Sequence, residues 1–526
     1  MPSLAHKFRN APWLVFALVF AWKIALFAFS AQPVPSDDAF FYDGPVVNKL
    51  LGGGYFNPSI APALPISGTQ VFSAYPPLYQ AALWGWMNVF GTSVISAMAM
   101  HLVLFGCYLL VVLAILRRLH APFWCFHFAG LFLLVLTFHD RPDSLAHVFG
   151  MLAVYSWLRS RGSLSARAPD PHANRWTWLM VLFAIATLCT SLQIGAIYFL
   201  WVWVGMLATV FLARERFPLI PMSVMTLVPI ALVALVKFQF PHLWAGFLEH
   251  ARQTPSLTGW RVPYFEELLK VARNAPGILL VAVLFPLTWL KRRNAPQTFP
   301  AIGYELFLIS ALTAALVVVV ACLVLVTANM VAIAGYLQPL VVAAYLAWCA
   351  ANFTSQRPIR LQAAAFALAA LLGSIRAIGM TTWGLACAAD VGYPSANRRI
   401  ESELANRGTN FKVVMSGAYL YGASTHRDIT LIHSDWMEPA KSDPPISDLQ
   451  ALVALRPQKL ILTQFDYYRR YQAVLEKAKA EPSLKNIQVV NTATTRAPDS
   501  YHSLQKVVQH ISWAPVIVDL TWQDAR

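Results

Sequence analysis

The chain has 526 residues, of which 57% are hydrophobic and only 12% charged, with a mean hydropathy of +0.53. A soluble globule does not carry that much apolar surface, so the composition points to a polytopic membrane protein. The formal net charge of +15 falls unevenly along the chain and reads as membrane orientation, with no nucleic-acid partner implied.

Taken in order, the apolar runs predict about eleven transmembrane helices. They are Trp13–Ser30, Val94–Leu116, Phe123–Phe138, Ser144–Leu158, Trp178–Leu192, Ile194–Leu212, Leu219–Val236, Gly277–Leu290, Leu306–Val326, Tyr336–Ala351 and Leu361–Thr382. The first run lacks a small-residue cleavage site and more spans follow, so it reads as a retained helix rather than a signal peptide. The 18 Trp and 32 Phe suit interfacial belts and lipid-facing surface. Six cysteines contain no C-x-x-C pair and five lie in or beside spans, which predicts small core residues rather than disulfides or a zinc site.

Between the first two spans, residues 31–92 form a long loop rich in Gly and Pro. It holds Gly52-Gly53-Gly54 and Tyr75-Pro76-Pro77-Leu78-Tyr79, and its last part, Tyr79–Phe90, has the amphipathic aromatic pattern of an interfacial helix. A second loop, Lys237–Ala275, is rich in charge. After Thr382 the pattern changes. Helix-like stretches (Arg398–Asn406, Ile446–Leu455, Tyr467–Ala480) alternate with β-rich runs at Phe411–Met415, Ile429–Ile432, Lys459–Thr463, Ile487–Val490 and Val516–Leu520. The expected organisation is a membrane domain over 1–385 and a small soluble α/β domain over 396–526.

Basic residues fall on alternate loops: Lys7 and Arg9, Arg117 and Arg118, Arg159 to Arg175, Arg214 and Arg216, Lys291 to Arg293, Arg357 and Arg360. The positive-inside rule puts these loops and the N-terminus in the cytoplasm. The loop 31–92, the acids of His139-Asp140-Arg141-Pro142-Asp143 and the α/β domain then face the extracytoplasmic or periplasmic side of the inner (plasma) membrane.

Asp37 and Asp38 stand side by side at the end of the first span, and Asp143 opens the fourth. Acids at the mouths of two spans on one face suit deprotonation of a hydroxyl, or capture of a cation, beside a lipid-borne substrate. The plainer alternatives stay open. Asp37 and Asp143 both suit helix caps, and Arg141 suits a headgroup anchor. Lys23 and Arg376 fall inside apolar runs, where a charge is a site candidate by default, although Lys23 can snorkel. His139, His147 and His250 show no ligand spacing. No phosphate-binding glycine loop, H-E-x-x-H or Ser-His-Asp pattern occurs, so no nucleotide is implied.

Four stretches resemble the GT-C superfamily of integral-membrane glycosyltransferases. The nearest branch holds the protein O-mannosyltransferases, the lipid A aminoarabinose transferase and RgtA/B/C/D-like transferases. Asp37-Asp38-Ala39-Phe40-Phe41 resembles the family's acidic pair. Leu51 to Pro58 with Tyr75 to Tyr79 resembles the loop that follows it. Arg141-Pro142-Asp143-Ser144-Leu145-Ala146 resembles its second acidic site, and the α/β tail its C-terminal domain. The family's Asn-Tyr-like pattern survives here only as Gly335-Tyr336.

The resemblance implies transfer of a sugar from a polyprenyl-phosphate donor to a lipid, glycan or protein acceptor on the outer face. By that likeness Asp37, Asp38 and Asp143 are catalytic. Tyr75, Arg141, Gln193, Lys237, Arg252, Arg261 and Arg376 bind substrate. Asp37, Asp38 and Asp143 could also hold a divalent cation such as Mg or Mn. A lipid or sugar transporter or flippase is the competing class, and a non-catalytic assembly subunit is a third. Against a transporter, the halves show no repeat and no matching pair of broken spans. The charge pattern makes a direct prediction. Reporters fused after Arg175 or Arg293 will sit in the cytoplasm, and those after Asn57 or Arg526 outside; a cytoplasmic C-terminal reporter would overturn the orientation.

Overall fold

The computed structural model describes residues 13–30, 42–55, 76–121, 141–161, 173–213, 218–239, 301–324, 335–337, 339–341, 392–405, 407–408, 410–423, 429–434, 447–491 and 513–523, with isolated residues at 125–136, 241 and 244. Helix α1 (Trp13–Ser30) is followed by short α2 (Gly44–Leu50) and by α3 (Leu78–Phe90). Long helices then follow: α4 (Val94–Arg118), α5 (Pro142–Arg161), α6 (Ala173–Thr190), α7 (Leu192–Ala213), α8 (Leu219–Gln239) and α9 (Ala301–Val324). Among the described residues, Val94–Arg118, Leu192–Phe211 and Leu219–Gln239 are long and apolar enough to cross a membrane, and Trp13–Ala28 and Glu305–Val320 are shorter apolar helices. The expected spans Gly277–Leu290 and Leu361–Thr382 lie outside the described residues, and Phe123–Phe138 and Tyr336–Ala351 are described only in part.

Several helices run past the apolar windows that predict them. α4 continues to Arg118, and α5 starts at Pro142 and ends at Arg161. α4 gains its last basic residues because long side chains such as Arg117 carry their charge outward while the stem packs, whereas α5 keeps Arg161 buried by pairing it with Glu305. Ser93 caps α4 by accepting from the Ser96 N–H at 3.1 Å. Inside the bundle, Thr187, Thr190, Thr209, Thr226 and Thr313 donate to carbonyls one turn back on their own helices. That satisfies each hydroxyl where no water is at hand. α8 shows a long apolar face, with Leu219, Ile220, Leu227, Ile230, Val233, Leu235 and Phe238 all exposed. A face of that kind needs lipid against it.

The main core joins α1 and α4 through α9. Trp157 and Trp201 meet edge-on at 5.5 Å, and Trp201 Nε1 donates to Ser310 Oγ at 2.9 Å, which ties α5, α7 and α9 together. A second core binds the start of α4 and α5 to α2, α3 and the C-terminal part of the chain. Cys125 is buried as expected, but Cys107 is exposed on α4. A thiol on an apolar helix is equally at home on its outer face.

The C-terminal part begins with α10 (Tyr393–Leu404). Strands β1 (Phe411–Met415), β2 (Ile429–His433) and β3 (Lys459–Leu462) follow, with α11 (Asp448–Leu455) before β3. α12 (Gln472–Ala478) precedes β4 (Leu484–Asn491) and β5 (Val516–Trp522). The sheet order is β2-β1-β3-β5-β4; β1 runs parallel to β2 and β3, and β5 antiparallel to β3 and β4. Alternation along the strands divides its faces. Val413, Met415, Ile429, Leu431 and Ile461 join the core shared with the membrane helices, whereas Val414, Ile432, Leu460 and Leu462 face α11 and α12. The strands therefore work as a two-sided layer, with one side pressed on the bundle.

α5 and α7 approach closely at Gly150, where a Cβ would lie 2.3 Å from the Tyr198 ring. Gly150→Ala must push the ring aside. A loss of about 1–3 kcal/mol is expected, read as an earlier thermal transition in detergent. Gly85→Ala on exposed α3 meets nothing within 4 Å and should be neutral or mildly stabilising, so equal behaviour of the two variants would contradict the packing.

Candidate functional site

Arg141, Pro142, Asp143 and Ser144 open α5. Pro142 suits a first helical turn, where its missing N–H has no partner to lose. The Arg141 guanidinium is held on three sides. Its Nε lies 3.2 Å from the Asp143 carboxylate, one terminal nitrogen donates to Tyr336 Oη at 3.2 Å, and its plane sits 5.9 Å from the centre of the Tyr42 ring. The Arg141 and Asp143 side chains are 27% and 20% exposed, so the pair is positioned yet open to a ligand. A fixed guanidinium is well shaped for a phosphate oxygen, and a carboxylate beside it for a hydroxyl or amine.

Behind this pair lies a residue that the sequence reading passed over. Asp43 occupies the N-cap position of α2 but makes no capping hydrogen bond. It has no exposed surface. Tyr421 donates to Oδ2 at 2.6 Å and Tyr79 lies 3.2 Å from Oδ1. Burial pushes the Asp43 carboxyl up to about 7, against the opposing pull of the Tyr421 and then the Tyr79 hydroxyl.

The chain of contacts continues. Tyr79 Oη is 3.2 Å from His101 Nε2, and His101 Nδ1 is 3.2 Å from Ser144 Oγ. Tyr42 meets the Tyr79 ring edge-on at 6.4 Å, and its carbonyl accepts from Gln80 Nε2 at 3.2 Å, while Tyr55 donates to Gln80 Oε1. Because Tyr42 adjoins Asp43 and Ser144 adjoins Asp143, the contacts close into a ring: Arg141, Tyr42, Asp43, Tyr79, His101, Ser144, Asp143. Four segments supply it, namely the two residues before α2, then α3, α4 and the start of α5 with the residue before it. Tyr421, from the turn Leu420–Ala423 after β1, enters from the α/β unit.

The other expected site residues are distributed differently. Asp37, Asp38, Tyr75, Arg252, Arg261 and Arg376 lie outside the described residues, as do His139 and His250. Gln193 is exposed at the start of α7 and Lys237 at the end of α8, where its ammonium lies 5.7 Å from the Phe238 ring. Neither contacts the Arg141 cluster among the described residues. Lys23 is buried in α1, 5.4 Å from the Phe105 ring. His147 is buried one turn below Ser144, 3.4 Å from Tyr198 Oη, which suits a packed core histidine. Among the described residues no three ligating side chains gather as a metal site.

With that geometry in place, comparison with solved structures becomes informative. The chain superimposes on a crystal structure of ArnT from Cupriavidus metallidurans bound to undecaprenyl phosphate with a TM-score of 0.57 and 15% identity, covering 97% of this chain and 98% of that one. The apo ArnT structure gives 0.54 at 13% identity, covering 98% of each chain. The chain has the GT-C fold. The GT-C oligosaccharyltransferase AglB from Archaeoglobus fulgidus, in complex with an inhibitory peptide and a dolichol-phosphate, also matches, with a TM-score of 0.50 and 12% identity over 92% of this chain and 74% of that one. No protein-family model and no curated protein matches the chain by sequence, so the likeness to GT-C proteins is one of architecture.

Proposed function

We propose that the chain is a membrane glycosyltransferase that moves a sugar from a polyprenyl-phosphate donor to an acceptor on the outer face of the inner membrane. The acceptor is a lipid, a glycan or a protein. In this reading the bundle over 1–385 is catalytic and the α/β unit over 396–526 is extracytoplasmic. The observation that carries the proposal is the Arg141–Asp143 pair, partly open and held against Tyr42 and Tyr336 at the end of α5. Support comes from the shared fold, since the matched ArnT and AglB structures hold undecaprenyl phosphate and a dolichol-phosphate.

The reaction is a displacement at the anomeric carbon. The acceptor oxygen or nitrogen forms the new bond, the carbon–oxygen bond to phosphate breaks, and the phosphate leaves with the electron pair. Asp37 takes the acceptor's proton as the bond forms. Arg141 meets the developing phosphate charge, aided by Lys237, Arg252, Arg261 or Arg376, and Asp38, Asp143, Tyr75 and Gln193 orient the substrates. Asp37 is five residues before Tyr42, a distance that an extended chain spans in at most about 18 Å. None of these steps is routed through a divalent cation; Asp37, Asp38 and Asp143 are the acids that would hold one, and Asp143 also meets Arg141.

Asp37→Asn keeps shape but cannot take the proton. Turnover in a radiolabelled transfer assay with polyprenyl-phosphate sugars should fall by about 10²–10⁴-fold while membrane insertion persists. Asn caps a helix about as well as Asp, so near-normal transfer by this variant would mean that Asp37 is only a cap. Arg141→Lys keeps the charge but loses the planar fork, and should raise the KM for the lipid donor more than Asp143→Asn does. An unchanged donor KM would remove Arg141 from the phosphate.

A further inference from the structure

The mechanism above makes no use of Asp43, yet this carboxyl is the most deeply buried acid described and joins two parts of the chain far apart in sequence. One oxygen takes the hydroxyl of Tyr421, from the α/β unit, and the other faces Tyr79 on α3. From Tyr79 the chain of contacts runs through His101 to Ser144, the residue after Asp143. The surroundings are apolar: Tyr42, Val46, Val47, Leu83, Met98 and Leu145 share one core with Tyr393, Tyr419 and Leu420. The turn that carries Tyr421 is itself fixed, because a Cβ on Gly422 would lie 2.8 Å from the Asn397 carbonyl oxygen of α10.

We propose that Asp43 is a positioning residue: through Tyr421 it seats the α/β unit on the membrane bundle, and through Tyr79 and His101 it places Ser144 and hence the Arg141–Asp143 pair. Its effect on turnover rests on the transferase reading; the seating itself does not.

Protonation gives the device a direction. The groups that face Asp43 are the Tyr79 and Tyr421 hydroxyls, His101 beyond Tyr79, and Arg141 across the Tyr42 ring; Lys49 lies at the far end of its own helix. Burial raises the carboxyl from 3.8 to about 7. A group raised in this way contributes full stability below its unfolded value and loses it as pH climbs through the folded one. Seating is therefore firmest in acid, loosens as pH rises toward about 7 and stays level above it. The limb is opposite to that of Asp37, since a general base fails when it is protonated on the acid side.

Hydrogen exchange on the full chain in detergent tests this directly, using protection factors corrected for intrinsic exchange from about pH 5.5 to about pH 8.5. In the wild type, protection of the segment from Tyr393 to Ala423 should fall by up to about tenfold per pH unit as pH rises to about 7, and level off above it. Asp43→Asn is neutral throughout, so its protection should stay level. Tyr421→Phe removes a donor that favours the anion, and should move the fall upward by about one pH unit. The decline of kcat/KM as pH rises toward about 7 should follow the same order, absent in Asp43→Asn and carried further upward in Tyr421→Phe. If both variants keep the wild-type pH dependence of protection, the proposal is overturned. Should Asp43→Asn fail to fold, the displacement in Tyr421→Phe decides alone. Protection that follows Asp43 in a chain without transfer activity would sustain the seating and sink the transferase reading. Transfer with protection indifferent to Asp43 would do the reverse.

Discussion

A carboxyl with no exposed surface has to be matched by donors or protonated, and Asp43 meets that demand with two tyrosines from different parts of the chain. An acid left buried without partners costs several kcal/mol, so the two hydroxyls constrain where α3 and the turn after β1 can stand. Once these are placed, the remaining contacts follow. Tyr79 presents its oxygen to His101, His101 presents its other nitrogen to Ser144, and Tyr42 is left facing Arg141. The functional end of α5 is thus built from behind, by buried polar groups that never meet a substrate in this scheme.

The other end of α5 is anchored by a different device. Arg161, 7% exposed, reaches Glu305 on α9 at 2.5 Å and lies 5.8 Å from the Trp157 ring. Twenty residues of α-helix span about 30 Å, the thickness of a bilayer's hydrocarbon core. α5 therefore has a charge pair at each end and an almost wholly buried body between them. Gly150 lets the Tyr198 ring lie against that body, and the Trp157–Trp201 contact continues the packing toward Arg161. A helix fixed in this way holds Arg141 and Asp143 still.

Much of this fold was legible in the residues. Hydrophobic length located α1 at Trp13–Ser30 and α4, α7 and α8 within a few residues, because a bilayer imposes one length on every span. Short β-rich runs located β1 at Phe411–Met415 and placed β2 and β3 within one residue, because a strand covered on both faces reads as a continuous apolar stretch. β4 and β5 proved longer, at Leu484–Asn491 and Val516–Trp522; they form an antiparallel pair whose residues include the polar Lys485, Asn486, Gln488 and Thr521, which an apolar count misses. Of the cluster, Arg141 and Asp143 were singled out as candidates because charge beside an apolar run is rare. Asp43 was not, since Asp before Gly44-Pro45 has the look of an ordinary cap, and only the fold brings Tyr421 to it across 378 residues. His101, a titratable ring inside an apolar helix, was the one local signal that could have pointed there.

These two kinds of legibility reflect two kinds of constraint. Spans and strands answer to a solvent, lipid or water, that acts on every residue alike and so leaves a periodic trace. The ring through Asp43 answers to particular partners, each supplied by a separate element and each unremarkable alone. Arg141 stands at the junction of the two. It marks the mouth of an apolar helix by its charge, and its working position is set by Tyr42, Tyr336 and Asp143. A phosphate presented there would meet a guanidinium whose orientation is already fixed, so little ordering is left for the ligand to impose. On this view the α/β unit acts at a distance: by supplying Tyr421 to Asp43 it stiffens the base on which Arg141 rests, without needing to reach the reacting atoms itself.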